Sequence, residues 1–227
     1  MLPSPPNLRS TLDAVDEAIF YQPPLSHLER QAITLHILSL QIPSVVQAGM
    51  LNHGTAGREA APRLFTGEPL HTLLAARHTL LIDSVRLLTL LEVKNNAVTQ
   101  ALELATQKME ARCYSGFCEV GECRHLTVAF MRYLIASGDP ASAPRLTSFL
   151  IHMSTYRDNQ GKWGSFPFYY TLLMLTEATL PQAALERQYV AAACELALKR
   201  PWKDDPFSLR RKAILEKVLN CPGGSPC

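Results

Sequence analysis

The chain has 227 residues, 47% of them hydrophobic and 19% charged, which is enough apolar sequence for one sizeable core. The formal charge of +2, from 22 basic and 20 acidic residues, is too balanced for a broad phosphate-binding surface, so no nucleic-acid partner is expected. The N-terminal sequence lacks the pattern of a secretory signal, and the most apolar segment is interrupted by Asp83 and Arg86. We therefore expect a cytoplasmic protein without a transmembrane segment.

Helical periodicity dominates the chain from its start. Apolar residues at three- and four-residue steps predict an N-terminal helix pair within residues 1–48. The glycine- and proline-rich segment 49–69 predicts a long loop, and segment 221–227 a flexible tail. Between them, helices are expected near 70–93, 96–111, 123–137, 141–156, 166–179, 182–199 and 206–220. Because no segment alternates like a strand, the sequence predicts one all-α domain over residues 1–220.

A weak internal repeat connects some of these helices. Residues 77–88 resemble residues 124–134 with one residue deleted, and both segments begin with an Arg-His pair. The turn at 120–122 is matched by the turn at 163–165, a spacing of 43 residues that suits a unit of two helices. Because such a unit cannot bury its apolar face alone, we expect stacked antiparallel helix hairpins over residues 70–220.

A family resemblance follows from the second of these turns. Residues 158–173 resemble the Gly-x-Trp turn and aromatic-rich inner helix of the prenyltransferase and squalene-cyclase α/α-toroid repeats, and residues 120–125 look like a degenerate second copy. The resemblance covers about residues 70–200 and implies a toroid-like or HEAT-like partial arc. If the protein is an enzyme, it implies terpenoid cyclisation or prenyl chemistry. The acidic Asp-x-Asp-Asp motif of the cyclases is absent from this chain.

The predicted arc suggests a concave binding face. We expect this face to bind, and in an enzyme to convert, a largely apolar, isoprenoid-like or amphiphilic small molecule. Two Arg-His pairs would hold an anionic head and four aromatic side chains would form the apolar wall: Arg77, His78, Arg124, His125, Trp163, Phe166, Tyr169 and Tyr170. The competing hypothesis is a non-catalytic helical-repeat scaffold that binds a protein partner along the arc.

Half of the six cysteines lie within residues 113–125. This segment offers four soft ligands that could hold zinc: Cys113, Cys118, Cys123 and His125. The sequence thus predicts either no cofactor or zinc. Gly116 and Gly121 would let the loop fold back around the ion. Two alternatives stay open. Cys123, beside Arg124 in the first turn of a predicted helix, would be a reactive or redox-sensing thiol, or the cysteines are inert residues of a connecting loop.

Overall fold

The computed structural model of the chain describes residues 7–21, 24–40 and 62–221. The nine α-helices of these residues are α1 Leu8–Tyr21, α2 His27–Ser39, α3 Leu73–Leu91, α4 Asn96–Glu110, α5 Cys123–Ser137, α6 Ala143–Ser154, α7 Phe168–Glu177, α8 Pro181–Leu198 and α9 Pro206–Asn220. Short 3₁₀ turns precede α5 and α6, and the described part of the chain contains isolated β-bridges but no sheet. The predicted all-α class is confirmed.

Local sequence explains where several helices begin and end. Helix α9 begins after Asp205, whose carboxylate accepts hydrogen bonds from the backbone N–H groups of Phe207 and Ser208, at 3.0 and 3.1 Å. Thr72 and Asn95 cap α3 and α4 in the same way. Helix α5 ends at a left-handed glycine, as many helices do. These local signals are visible in the sequence, and the predicted ranges agree with the observed helices within a few residues.

The predicted loop and tail are described only in part. Residues 49–61 and 222–227 lie outside the described residues. The remainder of the loop, 62–69, contains no helix and folds into a tight turn, in which the Leu64 N–H donates to the Glu68 carbonyl at 2.9 Å. The side chain of Glu68 then accepts hydrogen bonds from the first backbone N–H groups of α7. This turn therefore fastens the loop to α7.

Alternate helices contact one another in chain order. Helix α3 packs extensively against α5, α5 packs against α7, and α7 packs against α9. Helix α6 packs against α8 in the same alternating way, and α8 also packs against the adjacent α9. The predicted stacking of hairpins would give alternating contacts of this kind, and both the stacking and its arc-like or toroidal curvature stay predictions. None of the helices in the described ranges is both long and apolar enough to cross a membrane.

Helix α1 lies against this row of alternate helices and joins it through charged side chains. Asp16 of α1 accepts hydrogen bonds from Arg86 of α3 at 2.8 Å and from Arg132 of α5 at 3.5 Å. Glu177, at the end of α7, binds both of these guanidinium groups, at 2.8 and 2.6 Å. Buried charges persist only when they are paired. This four-residue set, which we call the ion network, therefore fixes α1, α3, α5 and α7 relative to one another.

Candidate metal centre

The segment between α4 and α5 brings three cysteines together through its backbone geometry. Cys113 opens the 3₁₀ turn that follows α4, and Phe117 ends that turn in the left-handed conformation, with φ of 64°. Gly121 takes a second positive φ, 53°, which turns the chain back into α5. Cys118 lies between these two reversals, and Cys123 is the first residue of α5. Three separate pieces of backbone thus each present one sulfur.

The three sulfur atoms lie within 4.8 Å of one another, and three close cysteines of this kind could bind a metal ion. We call this group the cysteine triad. The Sγ atoms of Cys113 and Cys123 are 3.8 Å apart. Tetrahedral Zn–S bonds of about 2.3 Å place two sulfurs at about the same separation. Cys113 is exposed, whereas Cys118 and Cys123 are half-buried, so the triad has one side open to solvent and one side against the protein.

Hydrogen bonds hold the loop of the triad in place. The Thr127 hydroxyl of α5 donates to the carbonyl of Cys118, at 3.1 Å. The Ser115 hydroxyl donates to the Glu110 carbonyl at 2.8 Å, and the guanidinium Nε of Arg145 donates to the Ser115 carbonyl at 3.2 Å. These bonds come from helices on both sides of the loop. The backbone that carries the three cysteines is therefore held in place before any ligand arrives.

The environment separates the acidities of the thiols. The pKa of Cys118 is lowered, because its sulfur is hydrogen-bonded by the backbone of Val120 and by the thiols of Cys113 and Cys123. Burial raises the pKa of Cys123 to about 12, and its hydrogen bonds to the other two thiols add to this rise. Cys118 is therefore the first of this pair to become a thiolate, which is the form that binds metals.

His125, predicted as the fourth ligand, is not part of the triad's group of ligand atoms. Its imidazole is half-buried, and burial is the main cause of its lowered pKa. The nearby charges of His71 and Arg124 lower the pKa further, and only the carboxylate of Glu122 opposes them. Its Nδ1 is buried and has no hydrogen-bond partner among the described residues. The structure therefore supports the three cysteines of the predicted ligand set as a group, with His125 beside it.

The two carboxylates next to the triad are engaged elsewhere. Glu119 accepts hydrogen bonds from the imidazole of His152 and the hydroxyl of Tyr156. Glu122 binds Thr72, the cap residue of α3, and accepts hydrogen bonds from its backbone and side chain, at 2.8 Å and 2.5 Å. The Glu119 cluster was not predicted from the sequence. Its only sequence signal is the four-residue spacing of His152 and Tyr156, which places both on one side of a helical turn.

The predicted Arg-His pairs do not share one environment. Arg77 is exposed, while the half-buried His78 ring packs against Tyr114, with ring centres 5.5 Å apart. The Arg124 guanidinium lies over the rings of Tyr156 and Phe166, at 5.6 and 5.8 Å from their centres. Among the predicted ligand-binding residues, Arg124 and Phe166 are therefore brought together.

Most of the predicted aromatic wall belongs to the core. Trp163 is only 1% exposed, and its indole N–H donates to Glu186 at 2.7 Å. Tyr170 is fully buried and donates its hydroxyl to Asp83 at 3.1 Å, whereas Tyr169 is half-buried and packs against Trp202. One surface cavity, of about 370 Å³, is lined by none of the predicted ligand-binding residues; its lining is Ile19, Pro24, Leu25, Arg30, Leu90, Leu91 and Glu92.

Comparisons with known proteins leave the site to be interpreted from its own chemistry. No family model matches the chain, and neither a curated protein nor a solved structure matches it. The resemblance to α/α-toroid repeats stays a prediction. A function inferred from fold alone would be an analogy, whereas the cysteine triad offers specific ligand atoms at measured separations.

Proposed function

We propose that the protein binds a thiophilic metal ion through Cys113, Cys118 and Cys123. The observation that carries this proposal is the convergence of their three sulfur atoms within 4.8 Å, from a 3₁₀ turn, a loop and a helix N-terminus. Thiolate ligands select soft and borderline ions such as Zn²⁺ and Cu⁺ over Mg²⁺ or Ca²⁺. Zinc, the ion considered from the sequence, would be held by three protein ligands and one exchangeable position.

Binding requires the thiols to lose their protons. Cys118 provides the first thiolate, because its pKa is lowered by the backbone of Val120 and the neighbouring thiols. The positive charge of an arriving ion then favours ionisation of the other two sulfurs, so uptake releases protons. Helix α5 begins at Cys123, and the positive end of its dipole also favours negative charge at this sulfur.

A titration with Zn²⁺ and Cd²⁺ tests the proposal on the full chain under reducing conditions. We expect one ion per chain, measured by elemental analysis after desalting, and a sulfur-to-cadmium charge-transfer absorbance. Cys118→Ser and Cys113→Ser should lose both signals. Cys194→Ser is the matched control, because Cys194 is a fully buried thiol on α8, outside the triad.

Thermal unfolding provides an independent measurement. A ligand that binds only the folded chain stabilises it by about 2.7 kcal/mol at a hundredfold excess over its dissociation constant. We expect Cd²⁺ to raise the melting temperature of the wild type and of Cys194→Ser, and to leave that of Cys118→Ser unchanged. Equal shifts in all three proteins, or no bound ion in the wild type, would refute the proposed function.

The isoprenoid-ligand and scaffold hypotheses rest on weaker observations. The proximity of Arg124 to Phe166 supports an anion beside an aromatic ring, but Trp163 and Tyr170 already have hydrogen-bond partners in the core. Exposed leucines at positions 28 and 35 of α2 support a protein partner. The triad is preferred because three ligand atoms converge on one point.

A further inference from the structure

The proposed metal site has three sulfur ligands and no obvious fourth. No Cys, His, Asp or Glu side chain of the described residues joins the triad's group of ligand atoms. The flanking carboxylates are already engaged, since Glu119 is bound to His152 and Tyr156, and Glu122 is bound to Thr72. A tetrahedral ion would therefore take its fourth ligand from solvent. An ion that prefers three ligands would be satisfied by the triad alone.

We infer that the triad is suited to trivalent arsenic, taken up from arsenite as a three-coordinate trithiolate complex. This inference rests on the proposed metal-binding function and names the ligand of the same site. Trivalent arsenic is thiophilic, forms three bonds in a pyramid, and carries a lone pair where a tetrahedral ion would hold a fourth ligand. The exposed side of the triad, at Cys113, leaves room for that lone pair.

Charge favours the same class of ion. Three thiolates bound to a divalent ion leave one net negative charge, whereas three thiolates bound to a trivalent ion are neutral. The charged residues adjacent to the triad in the chain already balance, with Arg112 and Arg124 against Glu119 and Glu122. No unbalanced cation in this set offsets an additional negative charge in the half-buried site. The neutral arsenic complex needs no such compensation.

The binding step is an exchange of ligands without oxidation or reduction. Arsenite is arsenous acid, with three hydroxyl groups on arsenic. Each of the three cysteine sulfurs forms an As–S bond as one As–O bond breaks, and each thiol proton leaves with the departing hydroxyl as water. One arsenous acid and three thiols thus give one trithiolate complex and three water molecules. The sulfurs must draw together, which the exposed Cys113 on its short turn can accommodate.

The test combines arsenite and Cd²⁺ on the same full-length proteins, reduced with a thiol-free reductant. We expect the wild type to retain one arsenic after desalting, with an intact mass raised by one arsenic and lowered by three hydrogens, and with three fewer reactive thiols. Cys113→Ser, Cys118→Ser and Cys123→Ser should each retain about tenfold less arsenic or lower, a change of about 1.4 kcal/mol or more. Cys194→Ser should behave like the wild type.

The outcomes separate this inference from the proposed function. Cadmium binding without arsenic retention would overturn the arsenic assignment and leave metal binding intact. Loss of both would overturn both. Arsenic retained equally by Cys113→Ser, or a mass showing only two hydrogens lost, would also overturn the trithiolate. Because Cys113 is exposed, its substitution by serine leaves the core unchanged, and circular dichroism of each variant verifies its fold.

Discussion

Replacement of Glu177 by glutamine tests how much the ion network contributes to stability. Glu177 accepts hydrogen bonds from Arg132 at 2.8 and 2.6 Å, and from Arg86 at 2.8 Å. Arg86 and Arg132 are almost completely buried. Glu177→Gln preserves the shape of the side chain but removes its charge. The two guanidinium groups would then share Asp16 as their remaining acidic partner in the network.

The magnitude follows from the burial of these groups. Removing one partner of a buried ion pair typically costs about 3–5 kcal/mol. The Glu177 side chain keeps 21% of its surface exposed, so water can compensate part of the loss. We therefore expect the free energy of unfolding to fall by about 3 kcal/mol, at the lower end of that range. This is a large share of the about 5–15 kcal/mol that stabilises a typical domain.

A matched control lies on the surface. Glu110 also receives a double hydrogen bond from an arginine, Arg145, with both distances 2.9 Å, but 41% of its side chain is exposed. Glu110→Gln should cost about 0–1 kcal/mol. Urea unfolding measured by circular dichroism compares the two variants with the wild type. Equal costs for the two substitutions, or a cost below about 1 kcal/mol for Glu177→Gln, would refute the idea that the network is a major stabilising feature.

Two further predictions concern acid stability and a glycine turn. Burial alone would raise the pKa values of Asp16 and Glu177, but the two network arginines outweigh it and lower both. The two carboxylates therefore stabilise the fold fully above their ordinary pKa values of about 4, and this stabilisation is lost as the pH falls through their lowered pKa values. The melting temperature should drop steeply below about pH 4. The drop should be smaller in Glu177→Gln, which lacks one of the two carboxylates. Gly161→Ala should cost about 1–3 kcal/mol more than Gly138→Ala in urea unfolding. Both glycines have positive φ, 79° and 61°. Of the two, only Gly161 has a close neighbour for the new methyl group, the Ala193 methyl at 2.5 Å. Equal costs for the two substitutions would contradict the predicted clash.

The helices were predictable because their signals are local. Caps such as Asp205 and glycines such as Gly138 mark helix ends within a few residues of the affected backbone. The periodic spacing of apolar residues likewise marks the interiors of the helices. The packing of α1 was not predicted, because Asp16 meets Arg86 and Arg132 across 70 and 116 positions of the chain. A single sequence contains no local sign of such pairs.

The candidate site was predictable only in its soft ligands. The regular spacing of Cys113, Cys118 and Cys123 indicated a cluster. Of the two glycines expected to reverse the chain, Gly121 does so, but the other reversal lies at Phe117 and not at Gly116. His125 is two positions past Cys123 on a helix, so its side chain points away from the face on which Cys123 lies. Spacing along the chain made His125 as plausible a ligand as the three cysteines, whereas the geometry of the helix separates its side chain from the sulfurs.

The aromatic prediction illustrates a different limit. Trp163 follows a glycine turn, and the same pattern suits a pocket wall or a core residue. Its indole N–H reaches Glu186, 23 residues away on α8, and this partner allows the side chain to be buried. Whether an aromatic residue faces a ligand or the core thus depends on a distant polar partner. Composition around the turn cannot supply that information.

Helix α5 connects the two features on which the predictions rest. Cys123 begins this helix, and Arg132, in the ion network, lies on the same helix nine positions later. The network therefore fixes the position of Cys123, and Thr127 of the same helix holds the carbonyl of Cys118. Cys113, on the exposed turn, has no comparable anchor through its own side chain. When an ion binds, we expect Cys123 and Cys118 to stay in place and Cys113 to move toward them, because a rigid helix sets the geometry of a site more firmly than a surface turn.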